Sequence, residues 1–395
     1  MDCRSITVTS NLNHWRMHSM SWGWRKQRTL VDKTPPKPPF YLASEDLFVK
    51  KDGKEIFVKH IHSVSRKISN RGPVIMSPGV CSNANLFRMD ESGGCLSLDH
   101  DRSFANLLAS EGFHVYLYHP GFTERVHNRY VSRHCNESIH YRKRYKVSAE
   151  FGYRDMVDFE VPAVIDFVCR HSGKRNVDWI GYSLGGMIAY SFLSKNRTNP
   201  IRNLITIGAP MTLNQLFFRF VPFINFASTS LGLEEDALLG NIAHNLVPLT
   251  RGIRALPNWI VRFNLVTPLL CNPLNITNTA IKTILGQIIE PMPKELERFF
   301  SRFVQQGYSS REKFVVYLKN LRQLKKTRRR FLFFYGANDM IATAESVFLA
   351  RETISPGDPD NLIGVPAAGH IDLVLGKNAF EKVWKPSLEW LKKNG

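Results

Sequence analysis

The chain has 395 residues, of which 43% are hydrophobic, and it carries a formal net charge of +19. This length and apolar content exclude a largely disordered chain and predict one large domain with insertions, or two domains. Basic residues cluster at 141–146 and at 325–330. No nucleic-acid-binding motif stands beside either cluster, so we expect no nucleic-acid partner. We interpret them first as solvated surface and second as a patch for peripheral contact with an anionic membrane.

The N-terminal segment, residues 1–44, is interpreted as a basic tail that ends in a proline-rich linker. The sequence contains neither the short apolar core of a secretory signal nor a run of roughly 18 apolar residues. We therefore expect no signal peptide and no transmembrane span, and a protein that is cytoplasmic or peripheral at a membrane surface.

After this tail, short apolar strands alternate with amphipathic helices along most of the chain. The first two strands are predicted around the turn signal Asp52-Gly53. The later ones, separated by helices, are predicted at 73–77, 113–118, 177–182, 203–208, 331–335 and 361–365. Continuous apolar strands in this rhythm predict an α/β fold with a mainly parallel sheet covered by helices on both faces.

The rhythm is interrupted once, between the strand ending near residue 208 and the strand beginning near 331. The intervening sequence is helical in pattern, apolar and too long for a loop. We interpret residues 211–329 as an inserted helical cap or lid. Residues 45–210 and 330–395 then form the two parts of the core.

The stretch Val177-Asp-Trp-Ile-Gly-Tyr-Ser-Leu-Gly-Gly186 is a strand that runs into a serine flanked by glycines. Gly181, Ser183 and Gly185 form the Gly-x-Ser-x-Gly pattern of a nucleophile on a sharp strand-to-helix turn. The alternative is a structural serine in a close-packed turn. Taken alone, the pentapeptide does not separate these two interpretations.

A serine nucleophile needs a base to accept its proton and an acid to orient that base. Asp339 follows the strand at 331–335, and His370 follows the strand at 361–365. Singly, each has a structural alternative, a turn or helix N-cap for Asp339 and a loop histidine for His370. Together they stand in the order expected at carboxyl ends of strands, which favours a Ser183–Asp339–His370 triad. Asp372 is a rival acid, but it is too close to His370 in sequence to reach around the ring.

Backbone donors are also required for the oxyanion of an acyl intermediate. The N–H groups of Leu184, which follows the serine, and Val80, in the turn after an early strand, are the candidates. Tyr182, Phe217 and Phe218 are candidate substrate-contacting residues, the last two within an aromatic stretch of the cap. This chemistry requires no metal and no organic cofactor.

The chain resembles the α/β-hydrolase superfamily, and most of all its acid-lipase branch of gastric and lysosomal lipases. The resemblance covers roughly residues 45–210 and 330–393. Beside the Ser183 motif, three stretches carry it: Ser77-Pro-Gly-Val-Cys-Ser-Asn-Ala-Asn85, residues 151–167 before the nucleophile strand, and Gly369-His-Ile-Asp372. It implies that Ser183, Asp339 and His370 form the triad, and that lipid or other carboxylic esters are substrates.

Three positions depart from this family. Pro78-Gly79 stands where His-Gly is usual, Tyr118-His-Pro-Gly121 where Asn-x-Arg-Gly is frequent, and Tyr182 where a histidine precedes the serine. The sequence thus predicts a serine hydrolase of carboxylic esters. An acyltransferase using the same serine, and a non-catalytic lipid-binding protein of the same fold, are the alternatives.

Overall fold

The computed structural model describes residues 42–51, 54–65, 70–90, 102–121, 123, 150–212, 257–263, 267–290, 292–293, 295–296, 298–300 and 311–395. The predicted tail, apart from its last three residues, lies outside these ranges. Phe217, Phe218 and the larger part of the predicted cap also lie outside them.

The described core is built on one eight-stranded sheet. Its strands are β1 (Leu42–Lys51), β2 (Lys54–Ser63), β3 (Gly72–Ser77), β4 (Phe113–His119), β5 (Val177–Tyr182), β6 (Ile201–Ile207), β7 (Arg330–Gly336) and β8 (Leu362–Val365). Their spatial order is β1-β2-β4-β3-β5-β6-β7-β8. The first pair is an antiparallel hairpin, β2 runs antiparallel to β4, and every later pair is parallel. The predicted mainly parallel sheet is confirmed.

Helices cover both faces of this sheet. They are α1 (Phe104–Ser110), α2 (Tyr153–Asp155), α3 (Val161–Ser172), α4 (Leu184–Lys195), α5 (Asn258–Phe263), α6 (Thr267–Leu270), α7 (Asn278–Thr283), α8 (Arg311–Arg322), α9 (Ala344–Ile354), α10 (Asp372–Leu375) and α11 (Lys385–Asn394). One apolar core joins the sheet to α1, α7 and α11, and the other joins it to α3, α4 and α9. Strands such as β3 and β5 are buried along their whole length between the two cores, which explains their largely apolar sequences.

A π-helical turn, Met156–Glu160, joins α2 to α3. The sequence predicts one helix with a kink at Pro162. The helical backbone is continuous from Tyr153 to Ser172, and its π-helical turn ends two residues before Pro162, which has no N–H to donate to the carbonyl of Asp158. The irregularity therefore comes before the proline. It places the carboxyl group of Glu160 inside the fold, where it accepts hydrogen bonds from the Tyr118 hydroxyl and from the N–H of Gly121, the latter at 3.1 Å.

The strands β6 and β7 are neighbours in the sheet although more than a hundred residues separate them in sequence. The described part of this segment contains α5, α6, α7 and α8. The boundaries given above for the cap and the two core parts remain a prediction. Of the helices within the described ranges, none combines the length and the apolar character needed to cross a bilayer.

Candidate active site

Ser183 lies on the turn between β5 and α4, at the carboxyl edge of the sheet. Its backbone angles, φ 51° and ψ −117°, belong to a region that side-chain-bearing residues rarely adopt. The turn is held because the N–H of Ser183 donates to the carbonyl of Ile207 at 2.9 Å, and the carbonyl of Ser183 accepts from the N–H of Gly186 at 2.9 Å. The residue is only 4% exposed.

The glycines around this serine are required by close backbone approach. A Cβ at Gly185 would lie 2.2 Å from the carbonyl oxygen of Ser77, and one at Gly181 would lie 2.5 Å from the backbone of Gly185. A Cβ at Gly186 would lie 2.3 Å from the Cβ of Ala209. Since real Cβ atoms do not approach so closely, alanine at any of these positions would force the surrounding backbone or side chains to shift.

The structure brings the side chains of Ser183, Asp339 and His370 together. His370 Nε2 lies 2.8 Å from Ser183 Oγ, and His370 Nδ1 lies 2.7 Å from Asp339 Oδ2. All three residues are buried. With its proton on Nδ1 donated to Asp339, the imidazole presents the Nε2 lone pair to the serine hydroxyl, which is the arrangement needed for proton transfer.

Asp339 is fixed by the turn that follows β7. Its Oδ1 accepts hydrogen bonds from the N–H groups of Ile341 at 2.9 Å and Ala342 at 2.8 Å, which leaves Oδ2 directed at the imidazole. Two backbone donors and one ring donor thus share a single carboxylate, so its orientation is set independently of the substrate.

Asp372, the rival acid, has a different set of partners. Its Oδ2 accepts hydrogen bonds from the N–H groups of Gly369 and Asn272, both at 2.6 Å. Burial raises the pKa of this carboxyl to about 6, although the two N–H donors favour its charged form. Asp372 therefore shapes the loop that carries His370, while Asp339 contacts the imidazole.

Gly208, at the end of β6, is a residue that the sequence interpretation missed. Its φ of 53° lies in the left-handed region, and a Cβ there would stand 3.2 Å from Asp339 Oδ2 and 3.3 Å from His370 Nδ1. The absence of a side chain leaves room for the carboxylate–imidazole contact. The sequence signal was present, because a glycine directly after a parallel strand lies on the same edge as the candidate site.

The turn that contains Val80 lies against the serine. A Cβ at Gly79 would lie 3.2 Å from the Cβ of Ser183, and the turn is closed by a hydrogen bond from the Ser82 hydroxyl to the carbonyl of Gly79 at 2.9 Å. Leu184 is the first residue of α4. Of the two predicted oxyanion donors, Leu184 is therefore adjacent to Ser183 in sequence, and Val80 directly follows the glycine that approaches the serine in space.

Tyr182 lies beside the imidazole of His370, with ring centroids 5.0 Å apart, and it is only 4% exposed. Its ring therefore packs against the proposed base, and contact of Tyr182 with a substrate stays a prediction. Phe217 and Phe218, the other predicted substrate contacts, lie outside the described residues.

The segment from α6 to residue 290 covers the site from two sides. On one side the carbonyl of Leu270 accepts a hydrogen bond from the N–H of Ile371 at 2.9 Å, next to His370. On the other side the N–H of Glu290 donates to the carbonyl of Cys81 at 2.8 Å, and the N–H of Asn83 donates to the carbonyl of Ile288 at 3.1 Å. One continuous segment therefore contacts both the histidine loop and the turn beside the serine.

A pocket of about 450 Å³ opens next to this segment. It is lined by Pro268, Cys271, Asn272, Pro273, Ala337, Asn338, Asp339, Met340 and Thr343. Its lining includes one member of the hydrogen-bonded trio, Asp339. Burial raises the pKa of the Cys271 thiol to about 12, so this cysteine lines the pocket as a neutral group.

Comparison with known proteins agrees with this fold. The family model described as alpha/beta hydrolase fold matches residues 91–264. The chain is 24% identical over 191 residues to a probable lipase of Schizosaccharomyces pombe, covering 47% of this chain and 39% of that protein. It is also 24% identical over 160 residues to a tear acid lipase-like protein of Mesocricetus auratus, covering 40% of this chain and 36% of that protein.

Among solved structures, a serine hydrolase from the polyaromatic-hydrocarbon-degrading bacterium Cycloclasticus zankles aligns with a TM-score of 0.50 at 12% identity. That alignment covers 89% of this chain and 98% of the other. At such identity the likeness concerns the fold. The protein therefore has the α/β-hydrolase fold. The resemblance predicted from the sequence is confirmed, with distant relatives that are lipase-like and of whose length the matched region spans less than half.

Proposed function

We propose that the protein is a serine hydrolase that cleaves carboxylic esters, with lipid esters as its substrate class. The observation that carries this proposal is the chain of contacts from Ser183 Oγ through the His370 imidazole to Asp339, at 2.8 and 2.7 Å. The strained backbone of Ser183 supports it, because such strain is retained where geometry serves a chemical purpose.

In the proposed reaction, His370 Nε2 accepts the proton of Ser183 Oγ while the oxygen attacks the acyl carbonyl. Asp339 stabilises the imidazolium that forms. The imidazolium then protonates the departing alcohol oxygen, and the acyl group remains on the serine. A water molecule, deprotonated by the same imidazole, hydrolyses this acyl-serine and restores the free hydroxyl.

The negative charge on the carbonyl oxygen requires donors at the mouth of the turn. We assign this role to the backbone N–H groups of Leu184 and Val80. The amino-terminal end of α4 adds the favourable potential of a helix N-terminus. The close approach of Gly79 to Ser183 supports the choice of Val80, since the N–H that follows this glycine is near the reacting hydroxyl.

Lipid esters are favoured over small polar esters by the surroundings of the site and by the relatives. Exposed apolar side chains occur at Trp259 on α5, which is 68% exposed, and at Leu274 on the covering segment, which is 67% exposed. Both relatives described above are named as lipases or lipase-like. With a formal charge of +19, the protein would contact an anionic membrane peripherally while it takes up its substrate.

Labelling and hydrolysis together test this proposal. The full chain and its Ser183→Ala variant are treated with a fluorophosphonate probe and assayed with p-nitrophenyl esters from C2 to C16. We expect the probe on Ser183 alone, a rate that rises with acyl length, and at least ~10³-fold lower kcat in the variant. An unlabelled Ser183 in folded protein would contradict the nucleophile. Acyl transfer to an added alcohol in preference to water would identify an acyltransferase instead.

A further inference from the structure

A cluster of imidazoles lies at the opposite end of the sheet from Ser183. His60 and His62 alternate along β2, and His114 lies at the start of β4, the strand that pairs with β2. Glu45 of β1 stands directly opposite His60 in the hairpin register. His114 is the second residue of its strand, whereas Ser183 follows the carboxyl end of a parallel strand, so the two groups occupy opposite edges.

The side chains of this cluster contact one another closely. His60 Nδ1 lies 2.5 Å from Glu45 Oε1, and His60 Nε2 lies 3.0 Å from His114 Nδ1. The rings of His60 and His62 are stacked with centroids 4.6 Å apart. His171 approaches from α3, with its Nε2 3.7 Å from Glu45 Oε1.

From this geometry we propose that Glu45, His60 and His62 form a binding site for one late first-row divalent cation, of which Zn²⁺ fits best. One ligand atom from each of the three residues lies within 4.8 Å of the others. Two ligand atoms at ~2.1 Å from a tetrahedral ion are roughly 3.4 Å apart. His60 Nδ1 and Glu45 Oε1 are 2.5 Å apart, and no two of the three ligand atoms are more than 4.8 Å apart, so side-chain movements of about an ångström would bring them to that spacing.

The chemistry of the three donors selects the class of ion. Two imidazole nitrogens and one carboxylate oxygen suit Zn²⁺ and its neighbours in the first row, and are a poor set for Mg²⁺ or Ca²⁺, which prefer oxygen alone.

A second observation points to the same ligand. His62 Nδ1 is a buried nitrogen with no hydrogen-bond partner among the described residues. A buried polar atom left in this state costs free energy, and coordination of an ion by this imidazole would give the ring a polar partner.

The neighbours of the three ligands have the character of an outer coordination shell. When His60 binds the ion through Nδ1, its proton resides on Nε2 and donates to His114 Nδ1, which lies at 3.0 Å. Such a hydrogen bond from the second ring nitrogen is usual for metal-bound histidines and fixes the ring. His171, itself hydrogen-bonded through Nδ1 to the Tyr116 hydroxyl at 2.9 Å, or a water molecule supplies the fourth ligand.

An ion at this place would join β1 to β2 far from the proposed reaction. Its expected effect is therefore on stability, because a ligand that binds only the folded chain raises the unfolding temperature. The rate of ester hydrolysis should be the same with and without the ion. Failure of the metal-site proposal would therefore leave the proposed ester hydrolysis unaffected, and the reverse also holds.

The test uses the full chain without an affinity tag, stripped with a chelator and titrated with ZnCl₂ in a calorimeter. We expect one ion per chain with a dissociation constant below the micromolar range, and a rise in unfolding temperature of about 5 °C when the free ion exceeds that constant about 100-fold. Titration with Co²⁺ should give the intense visible absorption bands of a four-coordinate ion.

Matched variants identify the ligands. Glu45→Gln and His62→Gln should each weaken binding at least ~10-fold and abolish the gain in unfolding temperature. Glu55→Gln changes a carboxylate at the turn end of the same hairpin, paired with Lys50, and should bind the ion as the unaltered chain does. Absence of a bound ion, or equal binding by the Glu45 and His62 variants, whose folding is checked by circular dichroism, would overturn the assignment.

Discussion

Gly208 faces the contact between Asp339 and His370 so closely that a methyl group at this residue would lie 3.3 Å from the imidazole Nδ1 and 3.2 Å from the carboxylate. Both distances are tighter than ordinary packing of a Cβ. Three strand ends meet here, those of β6, β7 and β8, and the smallest side chain stands where they converge.

Gly208→Ala should therefore displace the base and lower kcat roughly 10–100-fold, with a smaller change in KM. The left-handed φ of this residue adds a loss of stability of about 1 kcal/mol. Gly173→Ala is the matched control, because it shares a positive φ of 67° at the end of α3 but has open space around its Cα. It should lose similar stability and retain full activity in steady-state ester hydrolysis. Equal activity in both variants would contradict the steric argument.

The two buried aspartates near His370 should differ sharply in their effect on the rate. Asp339→Asn removes the acceptor that fixes the proton on Nδ1, and we expect kcat to fall roughly 10³–10⁴-fold. Asp372→Asn retains an oxygen for the N–H groups of Gly369 and Asn272 and should lower kcat less than ~10-fold. Steady-state rates for the two variants check this order, and the reverse order would move the acid from Asp339 to Asp372.

The backbone strain at Ser183 can be measured by two substitutions that both remove the hydroxyl. Ser183→Gly relieves the strained φ of 51°, whereas Ser183→Ala retains it. Relief of strain is partly offset by the greater chain entropy of glycine in the unfolded state. We expect the glycine variant to be about 1 kcal/mol more stable than the alanine variant in thermal unfolding, with neither active. A less stable glycine variant would mean that the turn is unstrained.

Because the carboxyl group of Glu160 is buried, we expect the free energy of unfolding to decrease as the pH rises. Burial raises the pKa of its carboxyl to about 7 in the folded state, from a reference value of 4.5. Between these values the folded chain binds more protons than the unfolded chain, so this residue lowers the free energy of unfolding as pH rises from 4.5 to 7. Above pH 7 the carboxyl is ionised in both the folded and the unfolded chain, and its destabilising effect on the folded chain is then complete.

Glu160→Gln removes this ionisation and keeps the shape of the side chain. Relative to the unaltered chain, the variant should gain up to about 3 kcal/mol between pH 4 and pH 8. Chemical denaturation across this range measures the difference. Asp158→Asn, on the same π-helical turn but at a half-exposed carboxylate paired with Lys195, serves as the control and should show no such slope. A flat difference for both variants would exclude the buried charge as the cause.

The alternation of apolar strands and helices was sufficient to predict the sheet, because a strand covered on both faces has a continuous apolar sequence. The order of Ser183, Asp339 and His370 along the chain was informative for a related reason. Parallel strands deliver their carboxyl ends to one edge, so residues placed just after such strands gather there whatever their separation in sequence.

Other features depended on tertiary contacts that periodicity does not encode. Pro162 indicates an irregular helix, but the π-helical form of the turn before it and the contact of the Glu160 carboxyl with the Tyr118 hydroxyl could not be read from the sequence. The Glu45–His60–His62 cluster required the register of β1 on β2 and the pairing of β2 with β4. The role of Gly208 required the position of two side chains more than 130 residues away in sequence, as the numbering shows.

The segment that runs from α6 to residue 290 links two groups with different tasks. At one end Leu270 and Asn272 hold the loop of the proposed base, and at the other Ile288 and Glu290 hold the turn assigned to the oxyanion. A displacement of this segment would break backbone hydrogen bonds at both ends. It would therefore disturb the loop of the proposed base and the turn assigned to the oxyanion in a single movement. By the same linkage, a substrate that binds against this segment and holds it in place would position the histidine loop and the oxyanion turn together.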